Sequence, residues 1–154
     1  MTLMTSVTDE EAARDTACFL IAFVVLSTPE SARLARFHVR AALSYHELDD
    51  CADDACTIAS ELVTNAVQHA GTGPDAKIGI ELARMHSPAA VSVIVTDSSP
   101  DPPVKRDAAF GSERGRGLHI VAALSDHWEW RPEEHGKAVL AIIARKLGKG
   151  NRRP

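Results

Sequence analysis

Few features of the chain point to an extracellular, membrane or nucleic-acid-binding protein. Only three cysteines occur in 154 residues. Cys51 and Cys56 lack the paired spacing of a zinc set, and on a helix they diverge by about 500° of rotation. Reduced, buried thiols are therefore expected. The longest apolar stretch, Cys18 to Leu26, is too short to span a bilayer. It is preceded by Asp9, Glu10, Glu11 and Asp15, where a signal peptide would carry positive charge. No export or membrane segment is expected, and a cytoplasmic location follows. Positive charge is in deficit, with Lys plus Arg at 17 against 21 for Asp plus Glu and a net charge of −4. Holding nucleic acid by phosphate neutralisation would need the opposite balance. The sequence has no G-x-x-x-x-G-K-[ST] run, which excludes a P-loop.

What remains is a soluble-type composition, 45% hydrophobic and 25% charged, in a length suited to one core. No repeat or linker divides it, so residues 1–154 read as a single domain with loose ends at about 1–14 and 148–154. Cys18 to Leu26 is short and β-rich, which predicts a buried strand. Thr28-Pro29-Glu30 reads as a helix start, with Thr28 as N-cap and Pro29 at the first helical position. A second helix is predicted from about Asp49 to Ala70, its acidic start favoured by the helix dipole and its end marked by Gly71-Thr72-Gly73-Pro74. Lys77 to Arg84 and Val91 to Asp97 read as strands joined by a turn. A polar, proline-containing stretch from Ser98 to Arg114 has no period, which suggests either a lid or a disordered segment. Helical spacing resumes over Leu118 to Leu124, and Asp126 to Arg131 and Lys137 to Arg145 close the chain as two strands. This order predicts an α+β, two-layer sandwich: a mixed β-sheet covered by about three helices.

Three places could carry chemistry. Glu61, Asn65 and His69 recur at four-residue steps on one face of the second helix. That pattern is either a solvated face or a functional one. In the functional case the Asn65 carboxamide oxygen is a hard ligand for Mg²⁺ and Glu61 a base one turn away. Asp97 continues the Val91, Val93, Val95 side of its strand, so its carboxylate should be partly buried and must accept hydrogen bonds. A backbone amide in a turn or an adenine amino group would each serve. Gly115-Arg116-Gly117-Leu118 lies where the long loop meets a helix. The glycines allow close approach, free N–H groups and the dipole favour an anion, and Arg114 adds charge. Taken alone, the pair is equally a plain loop. Trp128 and Trp130 alternate on one strand, facing a core helix or a partner.

In this order the three pieces resemble the GHKL ATPase superfamily. Glu61-Leu62-Val63-Thr64-Asn65-Ala66-Val67-Gln68-His69-Ala70 is similar to its N box, Val95-Thr96-Asp97-Ser98-Ser99-Pro100 to its first glycine box, and Gly115-Arg116-Gly117-Leu118 to its second. The E-L-V-x-N-A-x-x-H-A form resembles the branch of anti-sigma-factor serine kinases and related small regulators, over roughly Pro29 to Ala144. The resemblance implies the Bergerat fold, with ATP and Mg²⁺ as ligands. Asn65 would hold Mg²⁺, Glu61 would be the catalytic base, and Asp97 would accept from the adenine amino group. Ser99, Arg114, Gly115, Arg116, Gly117 and Leu118 would line the nucleotide site, and residues 98–114 would form the ATP lid. It also implies phosphoryl transfer to a serine of a STAS-domain antagonist, a sigma factor as partner, and a homodimer. Ser99 stands where the family usually has glycine, and a positive φ there would strain it. Ala138 stands where it generally has threonine, whose hydroxyl supports the adenine contact through water. The alternative to a kinase is a nucleotide-binding module that sequesters a partner without turnover. A detached histidine-kinase catalytic piece is a third reading, without its phosphoacceptor helix.

Overall fold

A computed structural model describes residues 17–69, 75–86, 88–103 and 116–146. In chain order these form β1 (Ala17–Leu26), α1 (Ser31–Tyr45), a 3₁₀ turn (Asp49–Cys51), α2 (Ala52–His69), β2 (Lys77–His86), β3 (Ala89–Asp97), α3 (Gly117–Leu124), β4 (His127–Glu133) and β5 (Gly136–Ala144). The described strands make one sheet in the order β1-β2-β3-β5-β4. The three helices cover one side of it, giving the expected two-layer α+β sandwich.

The sheet is antiparallel at every pairing rather than mixed. Two connections explain why. Between β1 and β2 the chain makes two helical passes instead of one, so it returns antiparallel. The single-helix crossover from β3 through α3 to β4 does yield parallel strands, but β5 lies between them and pairs with both. The parallel relation exists without a parallel ladder.

β1 is an edge strand, not a buried one. Val25 is its one buried residue, while Phe19, Val24 and Leu26 stand exposed. An apolar run without alternation reads as covered on both faces, yet the residues that pack on the core are Ile21, Phe23 and Val25, opposite Leu82, Ile80 and Ile78, with Leu20 at the register shift. The first helix begins at Ser31, with Glu30 as its cap, two residues after the predicted start. Thr28 is already committed: its N–H and hydroxyl both engage the Ser31 hydroxyl, at 3.2 and 3.0 Å, and its carbonyl accepts from the Ser31 N–H at 3.1 Å. These bonds close a separate turn ahead of the helix. The far end of α1 is a Schellman motif. Glu47 takes φ +57°, its N–H donates to Ser44 O, and the Leu48 N–H donates back to Leu43 O at 2.8 Å. Leu48 itself is fully buried.

α2 is the centre of the core. Ala55, Ile58, Ala59, Leu62, Val63 and Ala66 are all buried along one stripe, and the helix packs on β3, α1 and α3. Across from it lie Val91, Val93 and Val95 of β3 and Val139, Ala141 and Ile143 of β5. Each such Ile, Leu or Val contributes about 1.5–3 kcal/mol by leaving water. Acidic residues in the 3₁₀ turn and the first turn of α2 tie this region to α1 and to the end of β5. Asp53 pairs with Arg40 of α1, Asp54 with Lys146 at 2.8 Å, and Asp50 with Arg145 through a forked contact whose shortest bond is 2.9 Å. Arg145 holds the Asp50 carboxyl below its ordinary range by hydrogen bonding. Cys51 and Cys56 are buried and Cys18 is exposed; burial pushes the Cys51 thiol up to about 11. Trp128 packs against the core, whereas Trp130, on the same face, keeps 38% exposure.

Candidate functional site

The candidate residues gather at one end of the sandwich because of how the elements terminate. Gly79 near the start of β2 pairs with Thr96 near the end of β3, so Asp97 lies beside the point where the chain enters β2. Residues 70–76 alone connect that point to His69, the last residue of α2. The C-terminal half of α2, which carries Glu61 and Asn65, therefore lies at the Asp97 end. Both side chains are half-buried, and His69 is exposed.

Glu61 meets α3 directly. A Cβ placed on Gly117 would lie 2.8 Å from Glu61 Oε2, so the bare first residue of α3 makes room for this carboxylate. No side chain caps that helix start. Burial pushes the Glu61 carboxyl above its ordinary range, so it holds a proton more readily than an exposed carboxylate does. Leu118 is buried at 4% exposure, so its side chain serves the core and only its main chain faces the helix start. Arg116 is exposed. Arg114 and Gly115, with the rest of the predicted lid from residue 104 onward, lie outside the described residues.

Asp97 has both of the surroundings its strand position demands. Its Oδ1 accepts from the Ser99 N–H at 2.8 Å, the turn contact expected of a strand-end aspartate. The same oxygen accepts from Lys137 Nζ at 3.0 Å, and that ammonium also reaches the Ser99 carbonyl at 3.4 Å. The pair is almost sealed, with Asp97 8% and Lys137 1% exposed. Oδ2 has no partner among the described residues. Nor is it an enclosed orphan, because Ser27 Oγ is the one such atom among those residues. An acceptor is thus left for a donor arriving from outside, as an exocyclic amino group would require.

Lys137 is the residue the sequence reading passed over. The signal was present: Lys137, Val139, Ala141 and Ile143 alternate as Asp97, Val95, Val93 and Val91 do, so each strand ends its apolar side with a charge, and the two charges are opposite. Register confirms the match, since Asp97 pairs with Lys137. The same alternation corrects the expectation for Ala138. It pairs with Thr96, on the sheet face away from the helices, so a hydroxyl there would point away from Asp97. Among the described residues Glu47 is the only non-glycine at positive φ, so Ser99 is unstrained and serine fits where glycine is usual. The glycine that is required is Gly136, at φ +142°. A Cβ on it would overlap the Asp97 carbonyl, so its bareness lets β5 start against the end of β3.

Residues 25–143 match the family model of the histidine kinase-like ATPase domain. The chain belongs to that family. Membership in an ATPase-domain family implies ATP binding, which fits the free acceptor on Asp97 and the uncapped helix start beside Glu61. The fold resembles the RsbU and RsbW domains of Rv1364c from Mycobacterium tuberculosis, with a TM-score of 0.59, 19% identity, and coverage of 81% of this chain. This chain spans only 32% of that one. A histidine kinase domain from the blue-light activated histidine kinase of Erythrobacter litoralis EL346 also matches, at TM-score 0.48, 18% identity, and coverage of 71% of this chain and 59% of that one. Comparison with curated proteins gives no match. No helix among the described residues is long and apolar enough to cross a membrane.

Proposed function

We propose that this domain is a cytoplasmic serine protein kinase of the anti-sigma-factor type, which binds ATP at its Asp97 end. The observation carrying this reading is the contact between the half-buried Glu61 carboxylate and the bare start of α3 at Gly117. It sets a base of raised proton affinity beside the main-chain N–H groups best suited to hold phosphate. Asp97 Oδ2 would accept from the adenine amino group, and Ser99 would fix the turn beside it. Gly115, Arg116, Gly117 and the Leu118 main chain would hold the phosphates, with Arg114 adding charge. Asn65, one turn beyond Glu61, would offer its carboxamide oxygen to Mg²⁺, which when bound neutralises charge on the phosphates.

In the transfer, a seryl hydroxyl gives its proton to Glu61 as its oxygen bonds to the γ-phosphorus. The bond from that phosphorus to the β–γ bridging oxygen breaks, and ADP leaves with the electron pair. Such a reaction needs mainly positioning and charge stabilisation. The acceptor would be a serine of a STAS-domain antagonist, and the kinase, as a homodimer, would hold a sigma factor. Support for these partners is the N-box form Glu61-Leu62-Val63-x-Asn65-Ala66 and the likeness of fold to a structure containing an RsbW domain.

Isothermal titration with ATP and Mg²⁺, followed by transfer from γ-labelled ATP to a STAS-domain protein, tests the proposal. Asn65→Ala should weaken binding and remove its dependence on Mg²⁺. Glu61→Ala should bind ATP but transfer no label. Undiminished transfer by Glu61→Ala would refute its role as base. Binding without any transfer by the unaltered chain would make it a nucleotide-binding module that sequesters its partner.

A further inference from the structure

We infer that Lys137 is a positioning residue for base recognition: with the Ser99 N–H it occupies Oδ1 of Asp97 and so fixes Oδ2 as the atom presented to the purine. The inference rests on the nucleotide reading of this site and adds a positioning residue to it. A carboxylate at a strand end has two equivalent oxygens and can rotate between them. Here both donors converge on one oxygen, at 2.8 and 3.0 Å. The ammonium delivering one of them is 1% exposed and is braced by the Ser99 carbonyl at 3.4 Å. Gly136 holds β5 close enough for this, since a Cβ there would meet the Asp97 main chain. The result is a fixed polarity: donors behind, one acceptor in front. Such a pocket selects a purine with an amino donor at position 6 over one with an oxo acceptor, because the oxo group would face an unpaired carboxylate oxygen.

The arrangement makes an unusual forecast for an isosteric change. In Asp97→Asn the carboxamide has one acceptor and one donor end. Lys137 and the Ser99 N–H both require the acceptor, so the amide nitrogen must turn outward and present a donor. Base preference should then invert rather than fade.

Binding of ATP and of inosine triphosphate, each with Mg²⁺, is measured by titration calorimetry on the full chain and on three variants whose folding is checked by thermal melting. The unaltered chain should prefer ATP by at least about tenfold. Asp97→Asn should prefer inosine triphosphate, whereas Lys137→Met, which still turns a carboxylate oxygen to the base, should keep the preference for ATP while binding it more weakly. Lys137→Met in the Asp97→Asn background should lose the inverted preference, and this neutral pair keeps the test open if Lys137→Met alone does not fold. A folded double variant that keeps the inverted preference of Asp97→Asn, or Asp97→Asn losing ATP without gaining inosine triphosphate, overturns the role of Lys137. An unaltered chain that binds neither nucleotide overturns the nucleotide reading itself. A chain that binds both equally leaves that reading standing and removes the selectivity.

Discussion

Replacing Lys137 by methionine should cost more stability than any other single charge removal in the described structure. The two side chains of the pair retain 1% and 3% exposure, so almost no solvent screens them. Methionine restores most of the volume, which keeps the cavity contribution small. What it leaves is an ionised carboxylate in a nearly dry site with one remaining donor, the Ser99 N–H at 2.8 Å. Orphaning one member of a buried pair typically costs about 3–5 kcal/mol. A domain of this size has roughly 5–15 kcal/mol in total, so the variant should unfold at markedly lower denaturant. Asp97→Asn keeps an acceptor for both donors and should cost less, about 1–3 kcal/mol. Converting both residues removes both charges from the interior, and the double variant should be more stable than Lys137→Met alone. Urea unfolding of the four proteins, monitored by tryptophan fluorescence and circular dichroism, gives the coupling energy by a double-mutant cycle. A loss under about 1 kcal/mol in Lys137→Met, with an unchanged slope against urea, would show that the two charges do not depend on each other and would refute the reasoning.

Gly117→Ala should leave stability within about 1 kcal/mol of the unaltered chain, because alanine favours a helix. The atom it displaces is only the tip of Glu61, 2.8 Å from the new Cβ. Phosphoryl transfer, or ATP affinity where no transfer occurs, should nonetheless fall, separating site from fold in paired melting and titration measurements. Glu47→Gly should stabilise by about 1 kcal/mol in urea unfolding, since it relieves a left-handed non-glycine at the end of α1 (φ +57°). Asp50 has a carboxyl held low by Arg145. Its contribution is present above the unfolded-state value of about 3.9 and is lost as pH falls through the lower folded value. Asp50→Asn should therefore lower stability at pH 7 and flatten the acid-side decline seen in melts below pH 5.

Much of this molecule was legible from spacing alone. The stripe from Ala55 to Ala66 fixed the central helix, the valine alternation fixed β3, and the strand-end position of Asp97 implied a buried acid needing donors. Strand order was less accessible. Alternation says which side of a strand is covered but not what lies beside it, so neither the edge position of β1 nor the insertion of β5 between β3 and β4 could be read from local pattern. The same limit hid Lys137. Its own alternation marked it as inward-facing, but a lysine read alone is a surface residue, and its partner stands 40 positions earlier. Only the antiparallel register joins the two charges, and with them the reason why Ala138 faces away from the site.

The placement of the candidate residues also shows how the domain sustains an expensive cluster of polar groups. Asp97 ends β3, Lys137 is the second residue of β5, Gly117 opens α3 and Glu61 lies past the middle of α2. Each belongs to an element whose remaining inward positions are apolar and buried, so dense packing fixes the backbones while the polar ends project to one side. Two carboxylates share that end, Asp97 buried and Glu61 half-buried, and they are treated differently. Asp97 has a full cationic partner and a backbone donor, which hold it in one orientation. Glu61 has no hydrogen-bond donor among the described residues and feels burial alone, so its proton affinity rises. A fixed acceptor and a proton-accepting base are the two functions a nucleotide-dependent transfer site must keep apart. In the proposed reading that separation follows from what stands opposite each group: a lysine and a backbone N–H at Asp97, and a bare glycine at Glu61.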